Sequence, residues 1–210
     1  MRFNGFSAKG AGGVGRWLLL LLVSIAAAPG ADNDKPKFEV KPALAYPYHQ
    51  TSEKVTIAAL PMMTDEETRE AFGKVNPYRY GVLPVLIVIQ NDGTDAIRVD
   101  RMKLIYTLPD GSHVEATPPQ DVKFLDGVRQ PSVVPSPIVI KRKPKNPLAE
   151  WEIEGRAFAA KMVPAGQSAS GFAYFQVSQT SAAASVYISG MEDAVSGKEL
   201  YYFEIPLSGK

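Results

Sequence analysis

The sequence predicts a mainly β fold: an antiparallel β-sandwich with one short helix near its start and a partly helical insertion. Three observations lead there. Residues 82–89, VLPVLIVI, form an apolar run of strand length, rich in Val and Ile, directly in front of the turn segment QNDGTD (90–95). Further segments that read as strands recur between turn signals over 97–108, 170–177, 184–189 and 199–207. The chain also holds 17 Gly and 17 Pro among 210 residues, a composition that favours many short elements over a few long helices.

Residues 1–31 are set apart as an export leader. Arg2, Lys9 and Arg16 carry its positive charge, and WLLLLLVSIAAA (17–28) is its apolar stretch. Twelve residues fall short of the roughly 20 that a membrane-spanning helix needs, so cleavage is expected, after Gly30 or Ala31. No transmembrane span should then remain, and the protein should be periplasmic or extracellular. The leader holds three of the 23 basic residues and none of the 22 acidic ones, leaving 20 against 22 and a formal charge of −2. Such a body has no field to attract nucleic acid. The absence of cysteine excludes disulfides, thiol catalysis, thiolate metal sites and a lipid-modified cysteine.

Residues 32–53 are Pro-containing and charged and read as an extended lead-in to a β-sandwich domain over 54–210. KVTIAAL (54–60) is the first core strand, with Val55, Ile57 and Ala59 on one face. TDEETREAFG (64–73) carries a helix signature: Thr64 as cap, Glu67 completing a capping box, acids in the first turn and Gly73 to end it. Asp65 and Arg69 are spaced for an i,i+4 pair. Two turns of helix need packing to persist, which Ala71 and Phe72 can supply.

The run from Val82 is expected to be the central strand, covered on both faces, with Pro84 near its entry and Val85, Ile87 and Ile89 toward the core. Asn91, Asp92 and Gly93 turn the chain. In the next segment Ile97 and Val99 are odd-numbered, whereas Met102, Leu104, Tyr106 and Leu108 are even. That change of phase near Asp100 implies a bulge or a crossing between sheets. Asp110-Gly111 then turns a hairpin. Residues 117–163 read as an irregular insertion, helical around Trp151 over 146–163, with Gly155 its weak point. In the last strand Tyr201, Phe203, Ile205 and Leu207 share one face.

YGVLPVLIVIQNDGTDAI, KMVPAGQSASGFAYF and SGMEDAVSGKELYYFEIPL together resemble uncharacterised exported bacterial proteins with an immunoglobulin-like β-sandwich domain. The resemblance covers about a third of the chain. It implies that architecture and carries no catalytic residues.

The sequence assigns no catalytic residues, metal ligands or cofactor. Only His49 and His113 exist as candidate bases, both in expected loops, and no GxSxG elbow or HExxH occurs. NDGTD lacks the alternating ligands of a calcium loop. The acids of TDEETRE, candidates for a glycosidase pair, already serve the helix start. Tyr46, Tyr48, Tyr78 and Tyr80, in Pro-containing loops, are the candidate ligand-binding residues. Lys141, Arg142, Lys143 and Lys145 are candidate contacts to an anionic partner. The expected function is noncatalytic: an exported β-sandwich working through contacts with another protein in the cell envelope or outside the cell. The alternative is a carbohydrate- or other ligand-binding module using the loop tyrosines, and a hydrolase is third.

Overall fold

The computed structural model describes residues 38–125, 146–149, 151–177 and 183–207, and every described element falls in the unit Pro36–Lys210. The leader over 1–31 and the basic run Lys141, Arg142, Lys143 and Lys145 lie outside the described residues.

The chain forms a β-sandwich. It opens with a hairpin, β1 (His49–Ser52) and β2 (Val55–Pro61), turned through Glu53 and Lys54, both at positive φ. Helix α1 (Asp65–Phe72) follows with the expected cap: Thr64 Oγ1 accepts from Glu67 N–H at 3.2 Å, and Glu67 Oε2 accepts from Thr64 N–H at 3.0 Å. Strand β3 (Val82–Asn91) is the apolar run, and β4 (Ile97–Arg98), β5 (Lys103–Thr107) and β6 (His113–Glu115) come next. After α2 (Trp151–Gly155) the chain ends in β7 (Met162–Val163), β8 (Ser168–Gln176), β9 (Ser185–Ser189), β10 (Glu192–Asp193) and β11 (Phe203–Pro206).

The strands build three antiparallel sheets: a first in the order β1-β2-β3-β8, a second in the order β11-β9-β5-β6, and a small third in the order β10-β4-β7. β3 thus lies between β2 and β8, an interior strand as its composition predicts. Period-two geometry splits its side chains into two sets. Leu83, Val85, Ile87 and Ile89 face the second sheet, packing in one cluster with Tyr106, Val186, Ile188, Phe203 and Ile205. Val82, Leu86 and Val88 face the other way, packing with Phe72 of α1, Ile153 of α2 and Leu148. This second cluster includes a Phe72–Phe172 ring pair with centroids 4.7 Å apart. Pro84, third in β3, keeps its acceptor role: its carbonyl receives Met62 N–H at 2.9 Å, just beyond the end of β2.

The change of phase near Asp100 is a crossing between sheets. β4 belongs to the third sheet and β5 to the second, and a turn closed by Met102 N–H on Val99 O (3.1 Å) joins them. Three expectations are corrected. The helix around Trp151 ends at Gly155, because residues 156–158 run extended along β8 and Met162–Val163 is a strand. Tyr201 does not share the inward face of Phe203, Ile205 and Leu207: it precedes β11 and is 67% exposed. Asp65 forms its ion pair with Arg79, brought beside it by the 3-10 turn Pro77–Tyr80, and not with Arg69.

Candidate functional site

One candidate site lies at the seam between the two large sheets, beside β8. The outer edge of β8 is covered by two passing segments. Phe172 N–H donates to Arg156 O (2.9 Å), Phe158 N–H donates to Phe172 O (3.0 Å), and Thr117 N–H donates to Tyr174 O (2.7 Å). Gly171 permits the close approach, since a Cβ there would fall 2.4 Å from Phe158 Cα. Past Phe158 the chain leaves β8 for the third sheet, where Lys161 O accepts from Val99 N–H at 2.9 Å. Between these anchors Ala159 and Ala160 make no main-chain hydrogen bond to any described residue, and Ala159 is exposed.

A groove of about 340 Å³ opens where residues 116–119 and 158–161 diverge. Met102 and Leu104 of the second sheet, Ala116, Pro118, Pro119, Phe158 and Ala160 form its walls, with Phe172 and Ala173 beneath. Its polar side chains are Asp100, Thr117 and Lys161. Alanines stand at four of the lining positions, 116, 159, 160 and 173.

The candidate tyrosines do not gather there. Tyr46 is buried, 8% exposed, and its hydroxyl accepts from Lys41 N–H at 2.9 Å. Tyr46 and the partly buried Tyr80 pack on the helix side of the first sheet, while Tyr48 and Tyr78 pack against the core between the sheets. A different set is open. Tyr202 is 55% exposed and stacks on Tyr187 with ring centroids 5.2 Å apart. Tyr187 was legible as outward from its place between the inward Val186 and Ile188. Tyr202 lies on the same side as Glu204, which the β9–β11 register places opposite Tyr187.

The remaining candidates are used structurally. His49 Nδ1 lies 2.7 Å from Tyr46 O, and His113 Nδ1 lies 3.2 Å from Thr107 Oγ1; both histidines begin strands and are exposed. Asn76 Nδ2 donates to Asp65 Oδ1 at 2.7 Å, and this bond, with Arg79 nearby, holds the carboxyl below its ordinary range. In the NDGTD turn, Asn91 is buried and fully engaged. Its Nδ2 donates to Asp95 O (2.8 Å) and Val163 O (3.0 Å), and its Oδ1 accepts from Gly93 N–H (3.0 Å). The sequence marked this turn but not its tie to β7.

A second hollow, of about 220 Å³, lies at the end of the sandwich among Glu53, Asp95, Asp193 and Lys198. Glu53 pairs with Lys198 at 3.1 Å. Asp193 accepts from the Ser196 N–H and hydroxyl, which lowers its carboxyl pKa. Among the described residues no group of three or more His, Asp or Glu side chains is placed to hold a metal ion, and no helix is long and apolar enough to cross a membrane.

No protein-family model and no curated protein matches the chain. Solved structures show distant similarity. A structural-genomics target named SoR45 is 11% identical, with a TM-score of 0.35 over 76% of this chain and 90% of that one. A candidate lipoprotein, YcdA of Bacillus subtilis, is 14% identical, with a TM-score of 0.38 over 75% of this chain; the match spans 38% of that protein. A functionally unknown protein of Listeria monocytogenes is 13% identical, with a TM-score of 0.34 over 77% of this chain and 82% of its own. Likeness this distant says nothing of activity.

Proposed function

We propose that the chain is exported by its N-terminal leader and works without catalysis, through contact with another protein in the cell envelope or outside the cell. The observation that carries this reading is the seam groove, a hollow with mostly apolar side chains in its walls, bordered at Ala159 and Ala160 by main chain that has no hydrogen-bond partner among the described residues. An open main-chain edge beside apolar pockets is a common means of binding extended protein segments.

The test is photocrosslinking in the native cell, with a photoreactive residue placed at Ala159 and, as a control, at Ser189 on the outward face of β9. A discrete protein adduct from Ala159 and none from Ser189 is the expected outcome. Equal labelling at both positions, or none from Ala159, refutes the reading.

A second reading, glycan binding, is favoured by the stacked pair of exposed Tyr202 and half-buried Tyr187, whose flat rings suit a sugar face. On that reading Tyr202→Ala abolishes retention on a glycan array, while the crosslink from Ala159 is unaffected.

A further inference from the structure

We propose that the groove takes an extended peptide segment of the partner, added as a short strand beside Ala159 and Ala160, with one branched aliphatic side chain seated in the hollow. This rests on the protein-contact reading and states its chemistry. The chain on either side of these alanines is already strand-like: residues 156–158 pair with Phe172, and Lys161 pairs with Val99. Ala159 and Ala160 therefore interrupt two ladders, and their N–H and C=O groups border the groove with no described partner. Backbone groups in such a position are satisfied by water or by an incoming main chain.

The groove itself discriminates between occupants. A purely hydrocarbon ligand would use Met102, Leu104 and Phe158 but leave the alanine main chain unmatched. A glycan would find few polar side chains among the lining residues. A volume of about 340 Å³ stands at the lower end of the roughly 300–1,000 Å³ of ligand pockets, room for one or two side chains and not for a large cofactor. A second copy of this chain is disfavoured by extent: two unpaired residues and one small groove offer far less than the roughly 800 Å² per partner of a stable interface. A short peptide strand uses both features together, its main chain at Ala159–Ala160 and an alternate side chain in the hollow.

The probe is a pool of capped heptapeptides with leucine fixed at the centre and the other positions varied, added to the isotope-labelled mature chain. The expected result is a shift of the Ala159 and Ala160 amide resonances, with slowed amide exchange there. For the best-binding member, N-methylation of the central amides and, separately, replacement of the leucine by serine should each weaken binding at least about tenfold. In the protein, Ala116→Leu, which fills the groove, should do the same with the fold intact by circular dichroism.

Binding that survives N-methylation but not loss of leucine overturns strand addition in favour of a simple apolar pocket. Failure of every pool member to bind overturns it as well. In either case the crosslink from Ala159 reports independently on whether a protein partner meets this seam, so the two proposals fail separately.

Discussion

The two large sheets are built from differently patterned sequence. Eight consecutive residues of β3, Val82 to Ile89, are buried, because the second sheet covers one face and the α1–α2 layer covers the other. In β9 burial alternates: Val186 and Ile188 are buried, while Ser185, Tyr187 and Ser189 are partly exposed. A continuous apolar run marks a sheet with two covers and alternation marks a sheet with one. Among the described residues the centre of the first sheet is thus committed to packing on both faces, while the outer face of the second sheet and the seam are open to a partner.

The largest effects should come from β3. Leu86→Ala and Ile87→Ala project to opposite sides yet should each cost about 3 kcal/mol, because both delete a buried aliphatic group. Ile105→Ala, on the outward side of β5, should cost less than about 1 kcal/mol. Urea denaturation of the three variants measures the contrast. A mild Leu86→Ala would mean that the helix layer is not a true second core.

Next in size is Gly171→Ala. The added Cβ would lie 2.4 Å from Phe158 Cα and 2.6 Å from Phe158 N, so the segment covering β8 must move. A loss of about 2 kcal/mol is expected, with faster amide exchange at Phe158 and Phe172 as the two hydrogen bonds between them and Arg156 loosen. Unchanged exchange would show that this edge cover is not tightly held.

Tyr174→Phe should cost somewhat less, about 1.5 kcal/mol, by leaving buried Ile153 O without the hydroxyl that donates to it at 2.5 Å. The same hydroxyl is hard to ionise in its buried place, so its folded pKa is raised above the ordinary value of 10.0. The sign follows: its contribution is fully present below pH 10.0 and is lost as pH rises further, so the phenylalanine variant should lose less stability under alkaline conditions. Parallel alkaline titration of the two proteins checks this.

These contrasts also mark what the sequence could disclose. The central strand, the inward set Val85, Ile87 and Ile89, the capping box at Thr64 and the crossing near Asp100 were legible, because each depends on local period or on a turn residue. The course of residues 156–163 was not. Its composition favours helix, but pairing with Phe172 and Val99 overrides propensity, and such partners lie too far along the chain to be read. Where the tyrosines pack was not legible for a similar reason. Tyr46 and Tyr80 sit in or beside 3-10 turns that fold onto the helix side of the first sheet, and turn chemistry does not reveal which core a turn lands on. The groove was invisible because its walls come from four separate segments of the chain, around residues 99–104, 116–119, 158–161 and 172–173.

The smallest expected effect separates the cover of the first sheet from the open face of the second. Asp65 begins α1 and is tied to Asn76 and Arg79, so its folded pKa lies below the ordinary 3.8, the hydrogen bond from Asn76 being the main cause. A depressed carboxyl contributes stability that is present above 3.8 and is lost as pH falls through the folded value. Asp110 and Asp193 are depressed too, by Ser112 and Ser196, so the whole protein should weaken in acid. Asp65→Asn should remove only the share that belongs to α1. Amide exchange at Ala71 and Phe72 should then depend less on pH below 3.8 than in the parent chain, while exchange at Val186 and Ile188 responds alike in both. Acid loosening that reaches β9 as early as α1 would mean that the helix layer and the second sheet open together, and that the first sheet's two covers are energetically one.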